Sequence, residues 1–183
     1  MNVRLIIFVL IMFWGCSQPQ ARHPITHNKG KNIKASVERN KAIIRQQQKQ
    51  IQAIVEQDTL LNFQSDPAGF WYAIQRQQRD QPRVEAGDEI EFLYRIQTLE
   101  GTVIYDEMEL GKVNYLVDKE DLLPALRQGV KKLRQHEIGV FLMPSFLAYS
   151  YQGDEDKIEI NQPLRFTIEI KNILKKNTTL KSE

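Results

Sequence analysis

Residues 89–97, EIEFLYRIQ, alternate cleanly, with Ile90, Phe92, Tyr94 and Ile96 on one face and Glu89, Glu91 and Arg95 on the other. A period of two belongs to an extended strand, whose successive side chains leave opposite faces of a sheet. The pattern recurs in residues 163–173, PLRFTIEIKNI, where Leu164, Phe166, Ile168 and Ile170 point inward. It appears again in GFWYAIQ, residues 69–75, with Phe70, Tyr72 and Ile74 on one side. IGVFLMP, residues 138–144, reads as another strand, and LEGTVIYD carries a Glu100-Gly101 turn that fits a hairpin. Between the hairpin and that strand lies EDLLPALRQGVKKLRQ, a short helix by its leucines, with Pro124 suited to its first turn. These elements predict an α+β fold, a curved antiparallel sheet of about five strands around one inner helix. No internal repeat is visible.

The stretch before Asp66-Pro67 has a different character. SVERNKAIIRQQQKQIQAIVEQD, from Ser36 to Asp58, places Val37, Ile44, Ile51 and Val55 at helical spacing. Ser36 is suited to an N-cap and Glu38 to the first turn, where negative charge meets the helix dipole. The apolar stripe is thin, because Gln and Lys fill most of the remaining positions. The spacing favours a solvated helix lying against the main domain, with a coiled-coil pairing to a second copy as the alternative.

The chain opens MNVRLIIFVLIMFWGC. The apolar run Leu5–Trp14 follows Arg4 and falls short of the roughly 20 residues that span a bilayer. It has the length of a signal-peptide core, and Gly15-Cys16 follows at once. A small residue before Cys at that place resembles a bacterial lipobox, which predicts acylation of Cys16 after cleavage. Phe13-Trp14 departs from the usual smaller or aliphatic residues, and a plain secretory signal is the alternative. Cys16 is the only Cys, so no intrachain disulfide is available. Residues 16–34 then read as a polar tether. Its His23 and His27 straddle Pro24, which argues against the helix that a two-histidine metal site would need, and no metal is expected.

Charge narrows the function classes. Lys+Arg 25 against Asp+Glu 23 is close to balance and well interspersed, which gives no reason to expect a nucleic-acid partner. No phosphate-cradling glycine loop is present, and His136 stands alone without a nucleophile beside it. What remains unusual is the stretch VFLMPSFLAYSYQGDED. It breaks at Pro144, shows Phe146, Tyr149 and Tyr151, and then turns acidic. Rings on a loop either plug the end of a core or line a pocket.

AGDEIEFLYRIQTLEGTVIYD, LLPALRQGVKKL, MPSFLAYS and PLRFTIEI, in that order and spacing, resemble the FKBP-type peptidyl-prolyl cis-trans isomerases, the macrolide-binding immunophilins. The resemblance runs from about Gly69 to Ile173. With its N-terminal helix and lipobox the chain is most similar to the gliding-motility-associated FKBP-type lipoproteins of Bacteroidetes. It implies a signal peptide at 1–15, a lipidated tether at 16–34, a helix at 35–66, an isomerase domain at 67–174 and a polar tail at 175–183.

The resemblance also implies a site. Tyr94 would be a wall ring, with Tyr105 and Asp106 the aromatic and carboxylate at the hairpin's end. Leu122 and Leu123 would stand at the helix entrance, Leu126 on the floor and Phe166 at the far wall. Tyr149 would offer its hydroxyl at the lip and Ile158 would cover the rim. Phe146 and Tyr151 would pack the loop's base or flank the entrance. By alternation alone, Tyr94, Leu123 and Phe166 read simply as core. Leu126 stands where Trp is usual, Ser150 where Gly is usual, and the tip YQGDEDK is acidic where relatives carry an apolar flap. Weakened macrolide binding is expected from these departures.

The activity implied is isomerisation of X–Pro bonds in exported polypeptides at the cell envelope, on the periplasmic side, without a cofactor. A non-catalytic binding module on the same fold, serving a gliding or secretion machine, is the alternative.

Overall fold

A computed structural model describes residues 29–176 of the chain. The described elements are α1 (Lys29–Gln57), β1 (Gln64–Ser65), β2 (Trp71–Arg76), β3 (Glu89–Gln97), β4 (Val103–Tyr105), α2 (Glu107–Leu110), β5 (Val113–Leu116), α3 (Pro124–Val130), β6 (Ile138–Met143), a 3-10 turn (Ser145–Leu147) and β7 (Leu164–Leu174). By its contacts the chain divides into Met1–Ser36 and Val37–Glu183, and the sheet and candidate site lie in the second unit. The anticipated signal peptide, Cys16, His23 and His27 fall outside the described residues.

The strands form one antiparallel sheet in the order β1-β2-β6-β7-β3-β4, with β5 also paired to β3. The sheet has seven strands where alternation suggested about five. The additional pieces, β1 and β5, span two and four residues, too short for a period to show. Gly101 supports the β3–β4 turn at φ +100, with its N–H donating to Thr98 O at 3.0 Å.

β7 runs between β6 and β3, pairing Phe166 with Phe141 on one side and with Ile96 on the other. Its alternation is interrupted once. Glu91 pairs with Asn172 but Phe92 with Ile170, so Lys171 is an extra residue in the ladder. The bulge shifts the phase, and the buried series Leu164, Phe166, Ile168, Ile170 continues at Ile173.

One face of the sheet wraps α3, which buries Ala125, Leu126, Gly129 and Val130. Close packing explains Gly129: a Cβ there would stand 2.6 Å from Ile168 Cδ1. Pro124 occupies the start of α3, as its fixed φ predicts. The second face is covered in part by α1, whose Ile51 packs with Phe63, Ala73, Leu99, Val140 and Leu142. That second layer explains β6. Its run from Gly139 to Met143 is buried on both faces, Phe141 and Met143 toward α3 and Val140 and Leu142 toward the α1 side.

α1 begins before Ser36, which therefore lies inside the helix and does not cap it. Asn32–Ala35 contains no proline, and nothing in it stops a helix from running back.

Candidate functional site

β3 carries Tyr94 on the same inward face as Phe92, its ring centroid 5.9 Å from that of Phe92. β4 ends at Tyr105, and Asp106 follows as the N-cap of α2. β6 stops at Pro144, after which the 3-10 turn leads to Tyr149. Leu122 and Leu123 precede α3, and Leu126 lies within it. β7 supplies Phe166.

The structure brings these residues into one cluster. Leu126, Ile158 and Phe166 are fully enclosed in it, while Tyr94, Tyr105, Leu122, Leu123 and Tyr149 are half-buried against it. Leu126 and Phe166 are 2% and 0% exposed. The anticipated floor and far wall are thus closed to solvent. Ile158, anticipated at the rim, lies inside the core instead. Hollows of about 260 and 440 Å³ occur on the outer face of the sheet and beside α1, and neither is lined by these rings. Phe146 and Tyr151 are exposed, and they border a shallow groove against Ile43 and Ile44 of α1.

The polar groups at the mouth have definite partners. The Tyr105 hydroxyl donates to Asp154 Oδ2 at 2.5 Å, and Lys157 Nζ lies 4.4 Å from the centre of the Tyr105 ring. Lys157 also pairs with Glu109 Oε1 of α2 at 2.6 Å. Asp154 Oδ1 accepts from the backbone N–H groups of Asp156 at 3.0 Å and Ile158 at 2.7 Å. The acidic tip is therefore a folded turn docked on Tyr105 and α2. Gly153 is required within it, since its φ is +68 and a Cβ would strike the carbonyl of Ile158.

Hydrogen bonding to Asp154, with burial next, raises the pKa of the Tyr105 hydroxyl. Burial would raise Asp154, but the hydrogen bonds from Tyr105 and the backbone outweigh it and hold the carboxyl below its usual range. Tyr94 is raised by burial. Tyr149 is pushed up to about 12, by burial first and then by the neighbouring Tyr94 and Asp154. Both hydroxyls therefore stay protonated at neutral pH and remain donors.

Asp106 Oδ1 accepts from Met108 N at 2.9 Å and Glu109 N at 2.8 Å. The side chain is exposed, and no hydrogen bond joins it to Tyr94 among the described residues. Its evident structural work is capping α2. Ser150 adopts φ +56, the left-handed conformation in which Gly would be free of strain.

Two contacts at the candidate site had no signal in the sequence. Asp154 reads as a loop acid until its bond to Tyr105 is seen. Gln47, on α1, is 4% exposed and is bonded to Ser145, on the loop that carries Tyr149. Its place among other glutamines on a polar helix made it look solvated. No group of His, Cys, Asp or Glu suited to holding a metal ion occurs among the described residues.

The family model described as FKBP-type peptidyl-prolyl cis-trans isomerase matches residues 81–171. No curated protein sequence matches the chain. Among solved structures, a peptidyl-prolyl cis-trans isomerase from Pseudomonas syringae pv. tomato is similar at 15% identity and TM-score 0.59, over 74% of this chain and 96% of that one. FkpA from Escherichia coli is similar at 16% identity and TM-score 0.59, over 95% of this chain and 74% of that one. The three FKBP domains of wheat FKBP73 give 18% identity and TM-score 0.52, over 61% of this chain and 48% of that one. At these identities the structural likenesses establish the fold.

Proposed function

We propose that residues 81–171, which the FKBP-type peptidyl-prolyl cis-trans isomerase family model matches, form a domain of that family and isomerise X–Pro bonds at the cluster of Tyr94, Tyr105, Tyr149 and Phe166. The observation that carries the site assignment is the gathering of three half-buried tyrosine rings with the enclosed Leu126 and Phe166, with the Tyr149 and Tyr94 hydroxyls kept protonated.

Rotation about an X–Pro amide meets a barrier of about 18–20 kcal/mol because resonance is lost at the twisted geometry. No nucleophile or proton transfer is needed. The protein has only to bind the twisted amide better than the planar forms. The twisted amide has a less polarised carbonyl and a smaller dipole, so an apolar aromatic surround favours it. Tyr149 donates to a neighbouring substrate carbonyl and sets the register. Leu122 and Leu123 line the entrance and Leu126 the floor. Asp106 acts through its charge, which favours the distorted carbonyl carbon. Because Leu126 and Phe166 are covered at rest, prolyl entry displaces the tip that Asp154 and Ile158 hold, or the rings of Tyr94 and Tyr149.

The same closure favours a second reading, a binding module of weak catalytic power. Protease-coupled assay of the wild type, Asp106→Ala and Tyr149→Phe separates the two. Acceleration by the wild type that falls in both variants supports the isomerase. Rates equal to the uncatalysed reaction in all three leave the binding module.

The remaining assignments rest on sequence. We place the protein in a bacterial cell envelope, anchored through acylated Cys16 and facing the periplasm, where exported proline-containing chains are its clients. The tether and helix before the domain suit that placement, and the similarity to gliding-motility lipoproteins suggests service to such a machine. Exposed Ile33 and Val37 on α1 support self-association through that helix. Metabolic labelling with a palmitate analogue, lost in Cys16→Ala, is the expected signature of the anchor. Labelling that survives the substitution rules the anchor out.

A further inference from the structure

We propose that Gln47, on α1 outside the family-matched residues, is a positioning residue that sets the lip of the site through both ends of the loop bearing Tyr149. The proposal rests on the assignment of Tyr149 to the lip.

The carboxamide of Gln47 is enclosed, as is Ser145, which is 3% exposed. Its Oε1 accepts from Ser145 N at 2.9 Å and from Ser145 Oγ at 3.1 Å. Its Nε2 lies 3.0 Å from Ser145 Oγ and donates to Asn161 O at 2.7 Å. A backbone N–H only donates and a backbone carbonyl only accepts, so these partners fix which end of the amide faces which.

The two residues gripped are those that hold Ser150. Ser150 N donates to Ser145 O at 2.8 Å, and Asn161 N donates to Ser150 O at 2.7 Å. A closed chain of bonds therefore runs from Gln47 through Ser145 to Ser150, and back through Asn161 to Gln47. Ser150 is next to Tyr149 and sits at φ +56, a conformation that a serine leaves readily once its restraints are gone. Such buried networks act as units, and losing one member leaves the others unpaired. The carboxamide reaches across 98 and 114 positions of sequence to do this. α1 thereby becomes part of the site's frame as well as a cover for the sheet.

The test uses the full-length protein with Gln47→Ala and Gln47→Met. The methionine keeps the length of the side chain and buries no charge against the Asn161 carbonyl, so it provides a second variant if the alanine does not fold. Isomerase kcat/KM is measured together with the NMR signals of the 13C-labelled Tyr149 ring, each also in the Tyr149→Phe background. A displaced lip lowers kcat/KM by about tenfold in a folded Gln47 variant, because small misplacements of a binding group have large effects on rate. The loss caused by Tyr149→Phe shrinks in that background, a coupling a purely structural role would not produce. Tyr149 signals that shift with Gln47 in a wild type without turnover sustain the positioning and remove the isomerase reading. Unchanged Tyr149 signals and unchanged coupling in a folded Gln47 variant overturn the proposal.

Discussion

Ser150, next to Tyr149, holds a left-handed backbone at φ +56. A left-handed conformation is unfavourable for an L-residue by about 1–2 kcal/mol, and more crowded still for a β-branched one. Ser150→Gly is therefore expected to raise the free energy of unfolding, by at most about 1 kcal/mol because the unfolded chain gains freedom. Ser150→Val is expected to lower it by about 2 kcal/mol. Denaturant titration of both variants reads the difference, and equal midpoints would contradict the strain. Tyr149 supports a second expectation. Its hydroxyl is pushed up to about 12, so it stays a donor across the neutral range and kcat/KM should be flat between about pH 6 and pH 9. A fall through that window, absent in Tyr149→Phe, would show the hydroxyl ionising far lower. At this scale the rings were legible in the sequence, because an aromatic after a strand break is conspicuous. The partners of those rings were not. Whether Asp154 meets Tyr105 is decided by how a turn folds, and whether Gln47 is buried is decided by a loop almost a hundred positions away.

At the scale of elements, α2 separates the capping work of Asp106 from the role proposed for its charge. Asp106 caps this short helix through one carboxylate oxygen. Asparagine caps about as well as aspartate, whereas alanine at such a place loses about 1 kcal/mol. Asp106→Asn should thus keep the wild-type stability and Asp106→Ala should not. Any loss of isomerase rate in the asparagine variant then belongs to the charge and not to the cap. Thermal melts beside coupled assays give both numbers, and equal stability losses in the two variants would refute the capping account. The strands read from alternation, in β3 and β7 especially, are where they were expected. β1 and β5 were invisible because their pairing, not their composition, makes them strands. α1 extends back past Ser36 because a favourable cap residue does not start a helix when the residues before it also accept one.

For the whole molecule, Asp88 ties the start of β3 to the end of the neighbouring β7. It is 2% exposed and accepts from Glu85 N at 2.8 Å, Lys175 Nζ at 2.9 Å and Lys176 N at 3.3 Å. Burial raises its pKa, but the bonds from Lys175 and from the two backbone N–H groups outweigh that, and the net effect is a lowered value. A carboxyl lower in the folded state than in the unfolded state adds stability above its unfolded pKa. That contribution is lost as pH falls through the unfolded value toward the folded one. Asp66 shifts the same way beside Lys132, and Glu169 beside Lys171 and Arg76. Stability should therefore drop below about pH 4, and drop less in Asp88→Asn, which has already lost that term. Urea midpoints across pH settle it, and an identical acid limb in the variant would count against the linkage. The α+β class followed from sequence because it needs only periodicity, while the closure of the site depends on packing between distant segments.

The sheet's borders have a further consequence. They consist of β1, β4 and β5, which span two, three and four residues, and α2 interrupts the outer border of β3 between the last two. A stranger's backbone finds no long ladder of free amides on which to align. For a protein whose proposed clients are unfolded chains, that denies them a sticky rail, so capture is left to side-chain chemistry at the rings and release stays easy.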